Sequence, residues 1–139
     1  MKITDLRVYL TRPEGSNRSW LFVEIDTDEG VTGVGESTNS GGGGALIVGR
    51  AYEMLKHDLE GQDFSEGLIG QDPNNIDSIW HRIYRRFGTL GSRGFATTVA
   101  SGIDMALWDI KGKTLGRPVW DLLGGKMRES VPVYSHVSP

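Results

Sequence analysis

Residues 100–125, ASGIDMALWDIKGKTLGRPVWDLLGG, read as one buried helix, a firm stop and a short second helix. Val99, Ile103, Ala106, Leu107 and Ile110 recur at helical spacing,. Met105 and Trp108 widen the stripe, so this helix is apolar around much of its circumference and is expected to be buried on several sides. Ala100, Gly102 and Ala106 are small and would let another element approach closely. Asp109 and Lys113 stand four apart in the favourable acid-then-base order. Gly116 is a plausible C-terminal cap. Pro118 cannot continue the helix but suits the first turn of a new one, whose apolar face is Val119, Leu122 and Leu123. Asp104 falls inside the apolar helix. A buried carboxylate needs partners, and structural pairing is preferred here over a role in a site. The run has the form of a junction between two domains. Fourteen residues follow it, so the second domain is expected to be represented only by its start.

Upstream, Leu6, Val8 and Leu10 alternate with Arg7 and Tyr9, which predicts a strand over roughly residues 3–12. Leu21, Val23 and Ile25 alternate in a second strand. Asp28-Glu29-Gly30 turns the chain into a third strand, Val31 to Glu36, making an antiparallel meander. Gly33 and Gly35 share one face of that strand, which suggests close approach of another backbone or a bulge. A helix is expected from about Ala45. Asp72-Pro73 reads as the start of the next, with Asp72 as cap and Pro73 in the first turn. Its amphipathic stripe is Ile76, Ile79, Trp80, Ile83, Tyr84 and Phe87. After Gly125, Val131, Val133, Tyr134 and Val137 suggest one last strand.

Composition narrows the function classes. The formal net charge of −3 gives no reason to expect nucleic acid or an anionic membrane as partner,. The chain has no cysteine, which excludes disulfides and thiolate metal sites,. No signal peptide is read in Lys2 to Leu10, and no stretch is long and apolar enough to span a bilayer. A cytoplasmic location is therefore expected. Asn17-Arg18-Ser19 matches a glycosylation acceptor, read as chance in a chain without a secretion signal.

Chemistry-bearing motifs are few. Gly41 to Gly44 lie between a strand and a helix, but no Lys-Ser or Lys-Thr follows, so a flexible loop is preferred to a phosphate loop. His57, His81 and His136 have no ligand-type spacing. No nucleophile elbow, paired-carboxylate motif or H-E-x-x-H is present.

Residues 101–124 resemble the signature segment of the mandelate racemase and muconate lactonising enzyme group of the enolase superfamily. The likeness runs through Ile103-Asp104, Ala106-Leu107, Asp109-Ile110, Gly112-Lys113, Pro118-Val119 and Leu122-Leu123-Gly124. One departure is Val99, where the family usually places alanine. Thr27 to Glu36 resembles the family's first hairpin, and Ile69-Gly70-Gln71-Asp72-Pro73 its usual entry to the second helix. From Trp80 to Ser135 the chain is most similar to acid-sugar dehydratases of the galactonate dehydratase type.

The resemblance implies an α+β fold: a three-stranded antiparallel meander, then a three-to-four-helix bundle, ending in the first strand of an absent barrel. Residues 1–127 would form a capping domain, and 128–139 a linker and the first strand of a truncated (β/α) barrel. In the family that barrel binds magnesium and removes a proton next to a carboxylate. The implied function is a substrate-capping and specificity domain, inactive alone, of a magnesium-dependent acid-sugar dehydratase or racemase. No catalytic residue and no metal ligand of the family can be placed on this chain. What remain are two loops, Arg12 to Trp20 and Ser37 to Gly44, that in the family fold over the barrel mouth. Arg18 could pair with a substrate carboxylate, and Asn17, Asn39 and Ser40 could hydrogen-bond hydroxyls. His136, with Ser135, is placed near the catalytic end of the barrel strand. The competing reading is a non-enzymatic module that self-associates or binds a partner through the apolar faces of Trp108, Trp120, Leu122 and Leu123. A homo-oligomer is expected.

Overall fold

The computed structural model describes residues 1–12, 14–15, 18–37, 44–56, 67–90 and 93–134. Three strands come first: β1 (Ile3–Thr11), β2 (Trp20–Thr27) and β3 (Thr32–Ser37), joined antiparallel in the order β1-β2-β3. Among the described residues, three helices follow, α1 (Gly44–Lys56), α2 (Ile76–Phe87) and α3 (Phe95–Leu115), with one 3-10 turn at Gly88–Leu90 and a last short helix, α4 (Val119–Leu122). This is the α+β meander-and-helices architecture that the sequence implies.

Alternation decides which way each strand faces. Leu21, Val23, Ile25 and Thr27 of β2 are buried, while Phe22, Glu24 and Asp26 lie on the other face. In β1 the strict period of two is broken: Ile3 and Leu6 are both buried although three residues apart. A register irregularity between Ile3 and Asp5 supplies the extra residue that makes this possible,. The helices cover one face of the sheet, and the core lies between them. It joins Leu6, Val23 and Ile25 to Val48 and Tyr52 of α1, Ile79 and Ile83 of α2, and Val99, Ile103 and Leu107 of α3.

α3 lies directly on the backbone of β3. A Cβ at Gly33 would stand 2.1 Å from the Ala106 carbonyl oxygen, and one at Gly35 would stand 1.9 Å from that of Gly102. Close approach, rather than a bulge, is what those two glycines serve. α3 ends as its sequence predicts. Gly116 is left-handed (φ 62), its N–H bonds the Lys113 carbonyl at 3.2 Å, and the Arg117 N–H bonds the Gly112 carbonyl at 2.9 Å. These two bonds form a Schellman motif.

Two elements depart from expectation. α2 starts at Ile76, later than Asp72-Pro73 suggests. Asp72 accepts the Asn74 N–H on its carboxylate at 2.9 Å and the Asn75 N–H on its carbonyl at 3.1 Å, closing a separate turn first. Asn75 then sits at φ −82, ψ 50, outside helical geometry. Residues 131–134 have no regular structure, and Val131 and Val133 are exposed. A strand pattern there has no neighbouring ladder to bond with. Residues 135–137 lie outside the described set.

On the outer face of the sheet, Arg7 ties β1 to β2. Its guanidinium bonds both oxygens of Asp26, and reaches Glu24 at 3.0 Å. The Arg7 pair holds the Asp26 carboxyl below the usual carboxylate range, and Lys56 does the same for Asp5. A carboxylate depressed in the folded state stabilises the fold above its unfolded pKa, and that stability is lost as pH falls through the folded value. The urea midpoint should therefore drop as pH falls below about 4, and Arg7→Met should flatten that drop. Gly35→Ala should destabilise the fold by roughly 3 kcal/mol, because backbone cannot move aside cheaply. Gly88→Ala, at φ −59 with open space around it, should change stability by no more than about 0.5 kcal/mol in the same urea titrations.

Candidate functional site: the loop end of the sheet and the α3 groove

The strand register brings the two candidate loops to one end of the sheet. Thr11 pairs with Trp20, and Leu21 pairs with Ser37. The connection after β1 and the one after β3 therefore leave side by side. Arg18 is exposed just before β2. Asn17, Asn39, Ser40, Ser135 and His136 lie outside the described residues, as does His57. His81 stands edge-on to Trp80 at 5.4 Å, and Trp80 stacks on Tyr84 at 5.0 Å, so this histidine is part of an aromatic packing group.

The base of the second loop is held by a buried polar cluster. The Ser37 hydroxyl, at the end of β3, donates to the Thr98 carbonyl of α3 at 2.9 Å and bonds the Tyr52 hydroxyl of α1. Both side chains are buried. With the Ser37 hydrogen spent on Thr98, Tyr52 is the donor in the second bond. Burial pushes the Tyr52 phenol up to about 12 against the opposing effect of the Ser37 bond, so it remains neutral and acts as a structural donor. Gly102 makes room for the pair: a Cβ there would stand 2.2 Å from the Tyr52 hydroxyl and 2.5 Å from that of Ser37.

Asp109 and Lys113 have a second role beyond their helical ion pair. The Val34 N–H of β3 donates to Asp109 at 2.9 Å, and the Lys113 ammonium donates to the Thr32 carbonyl at 2.7 Å and to Asp109 at 2.7 Å. An acceptor and a donor from α3 thus stand where a neighbouring strand would be, and they cover part of the β3 edge. The sequence spacing reveals the ion pair, but the strand edge it serves is visible only in the fold.

Beside this clamp lies an open groove of about 410 Å³, lined by Val34, Asp104, Met105, Trp108, Val119 and Leu123 together with Asp109. Asp104 is half-buried, and burial, reinforced by nearby Asp77, raises its carboxyl above the usual range. Among the described residues it makes no hydrogen bond or ion pair. The structural pairing expected for it is not formed within the described residues.

Among the described residues, no three His, Asp or Glu side chains converge to hold an ion, so the described residues do not form a magnesium site. No described helix is long and apolar enough to cross a membrane.

The sequence model of the mandelate racemase / muconate lactonizing enzyme N-terminal domain matches residues 8–124. The chain belongs to this family. It is 43% identical over 139 residues to a D-galactonate dehydratase of Variovorax paradoxus, covering 99% of this chain and 31% of that enzyme. The chain thus spans just under a third of the length of the curated relative. A crystal structure of an enolase superfamily member from Salmonella Typhimurium superposes with a TM-score of 0.76 at 35% identity, covering 92% of this chain and 30% of that one. The 3,6-anhydro-D-galactonate cycloisomerase of Zobellia galactanivorans gives a TM-score of 0.74 at 29% identity, covering 90% and 32%.

Replacing Asp109 by Ala removes the acceptor for the Val34 N–H and leaves Lys113 with one partner fewer. Because Val34 is exposed, water can take up part of the loss. We expect a destabilisation of about 1–2 kcal/mol in urea titration, with faster hydrogen exchange at the Val34 amide. Asp109→Asn keeps an acceptor and should recover most of the exchange protection.

Proposed function

We propose that this chain is the substrate-capping and specificity domain of a magnesium-dependent enolase-superfamily enzyme that abstracts a proton α to a carboxylate, with acid-sugar dehydration as its chemistry. The observation that carries this reading is the likeness to a D-galactonate dehydratase along almost the whole chain, joined to a register that sends both candidate loops out at one end of the sheet. In this reading residues 1–127 are the cap, and 128–139 lead into a (β/α) barrel that holds magnesium and the bases. The chain by itself holds neither and is inactive. Arg18 offers a cation for the substrate carboxylate, Asn17, Asn39 and Ser40 offer hydrogen bonds to hydroxyls, and His136 lies toward the barrel's catalytic end. The enzyme works in the cytoplasm as a homo-oligomer.

A second reading, a self-associating module without chemistry of its own, is favoured by one observation. Trp120, Leu123 and Met105 are exposed around the α3 groove, and exposed apolar surface of this kind marks contact sites.

The test joins this chain to the C-terminal two thirds of the Variovorax paradoxus enzyme in place of that enzyme's matching segment. The chimera should dehydrate D-galactonate with magnesium, and the isolated chain should not. In the chimera, Arg18→Met should raise KM roughly tenfold with a smaller change in kcat. A folded chimera that leaves the acid sugar untouched would overturn the dehydratase reading, and turnover by the isolated chain would overturn the claim that it is inactive alone.

A further inference from the structure

The second candidate loop connects two elements that stand apart. β3, which ends at Ser37, is one edge of the sheet. α1, which begins at Gly44, rests on the other two strands: a Cβ added at Gly49 would meet Val8 of β1 at 3.9 Å and Leu21 of β2 at 3.8 Å. Residues 38–43 join them and lie outside the described set. Gly41, Gly42 and Gly43 fall among them. Glycine loses more conformational freedom on ordering than any other residue, so the course of such a connection depends on where its two ends are held.

Tyr52 holds them. It stands about two turns into α1, and its hydroxyl crosses to Ser37, the last residue before the connection. Ser37 is in turn fixed to the Thr98 carbonyl of α3 at 2.9 Å. The Tyr52 and Ser37 side chains are 0% and 1% exposed, so water does not compete for the bond. Among the described residues, the rest of the buried face of α1 is Ala45, Val48, Ala51 and Leu55, whose apolar contacts carry no direction. Those contacts keep α1 on the sheet, and the Tyr52 bond fixes where it stands relative to β3. A phenylalanine ring would fill the same space without bringing a polar group into the core. The hydroxyl is therefore present for the bond.

We propose that Tyr52 is a positioning residue for the second loop: its bond to Ser37 sets the spacing of the loop's two ends, and through them how the loop meets an acid-sugar substrate. Tyr52 itself touches no substrate. The proposal deepens the capping-domain reading and rests on it.

Two measurements test it. In the chimera described above, Tyr52→Phe should raise KM for D-galactonate by about threefold to tenfold, the range that one net hydrogen bond supplies, with kcat nearly unchanged. Ser37→Ala should act in the same direction, and the double variant should be no worse than the worse single one, because both changes remove one bond. Ile83→Val lowers stability from the core of α2 and should leave KM where it is. In the isolated chain, followed by hydrogen exchange and mass spectrometry, Tyr52→Phe should speed exchange across residues 38–44, and Ile83→Val should not. Tyr52→Phe keeps the buried ring and leaves Ser37 its Thr98 bond, and circular dichroism checks that the fold is retained. An unchanged KM in an active chimera, additive single effects, an equal rise in KM from Ile83→Val, or exchange across 38–44 indifferent to Tyr52→Phe would each overturn the positioning role. A chimera with the unaltered domain that turns over no D-galactonate would instead overturn the dehydratase reading, and exchange in the isolated chain would still decide whether Tyr52 holds the loop.

Discussion

The rest of the molecule is organised around backbone-to-backbone contact between β3 and α3. Helices ordinarily sit on sheets with a layer of side chains between them. Here Gly33 and Gly35 remove that layer on one strand, and Gly102 and Ala106 reduce it on the helix, so that an added Cβ at either strand glycine would fall within about 2 Å of a helix carbonyl,. Such a contact contributes little by hydrophobic burial. What it supplies is position: it brings α3 low enough for its polar side chains to reach the strand.

Two polar devices depend on that approach. At one end of β3, Ser37 reaches the Thr98 carbonyl and is bonded by Tyr52 from α1, in space that Gly102 leaves open. Nearer its start, Asp109 and Lys113 meet the Val34 N–H and the Thr32 carbonyl. The first joins sheet, α1 and α3 at the root of a candidate loop, and the second protects a strand edge that would otherwise invite pairing with another chain. Neither would be in hydrogen-bond range if α3 rode higher on a layer of leucines. The side chains of one helix therefore act as fasteners for a sheet because small residues on both surfaces let them.

Much of this was legible in the sequence, and the reasons differ from residue to residue. The meander follows from period-two alternation in β2 and the turn after it, and α3 follows from its stripe and its Gly116 stop. Gly33 and Gly35 announced a close approach, and Gly102 and Ala106 a helix that allows one, yet nothing in the sequence joined the two pairs, since a glycine names no partner. Asp109 and Lys113 were visible as an ion pair only. Their other partners are backbone groups, which every residue has, so no pattern marks them. Asp72 was misplaced because a carboxylate that caps a turn and one that caps a helix look alike until the next residues' dihedral angles are known. Of the candidate site, the loops and their shared end were readable from strand order. Of the candidate side chains, Arg18 alone falls within the described residues.

Sequence and structure also separate what identifies the family from what would decide its chemistry. The segment that most clearly carries the family likeness is α3 with α4. Its side chains hold β3, and its outer face forms the groove. A relative named for dehydration and a structure named for cycloisomerisation both match this chain along nine tenths of its length or more. A shared scaffold therefore coexists with different reactions, as expected if α3 sets the frame while the two loops leaving the far end of β1 and β3 are free to vary. Substitutions in the Gly35–Gly102 contact would then change stability irrespective of substrate.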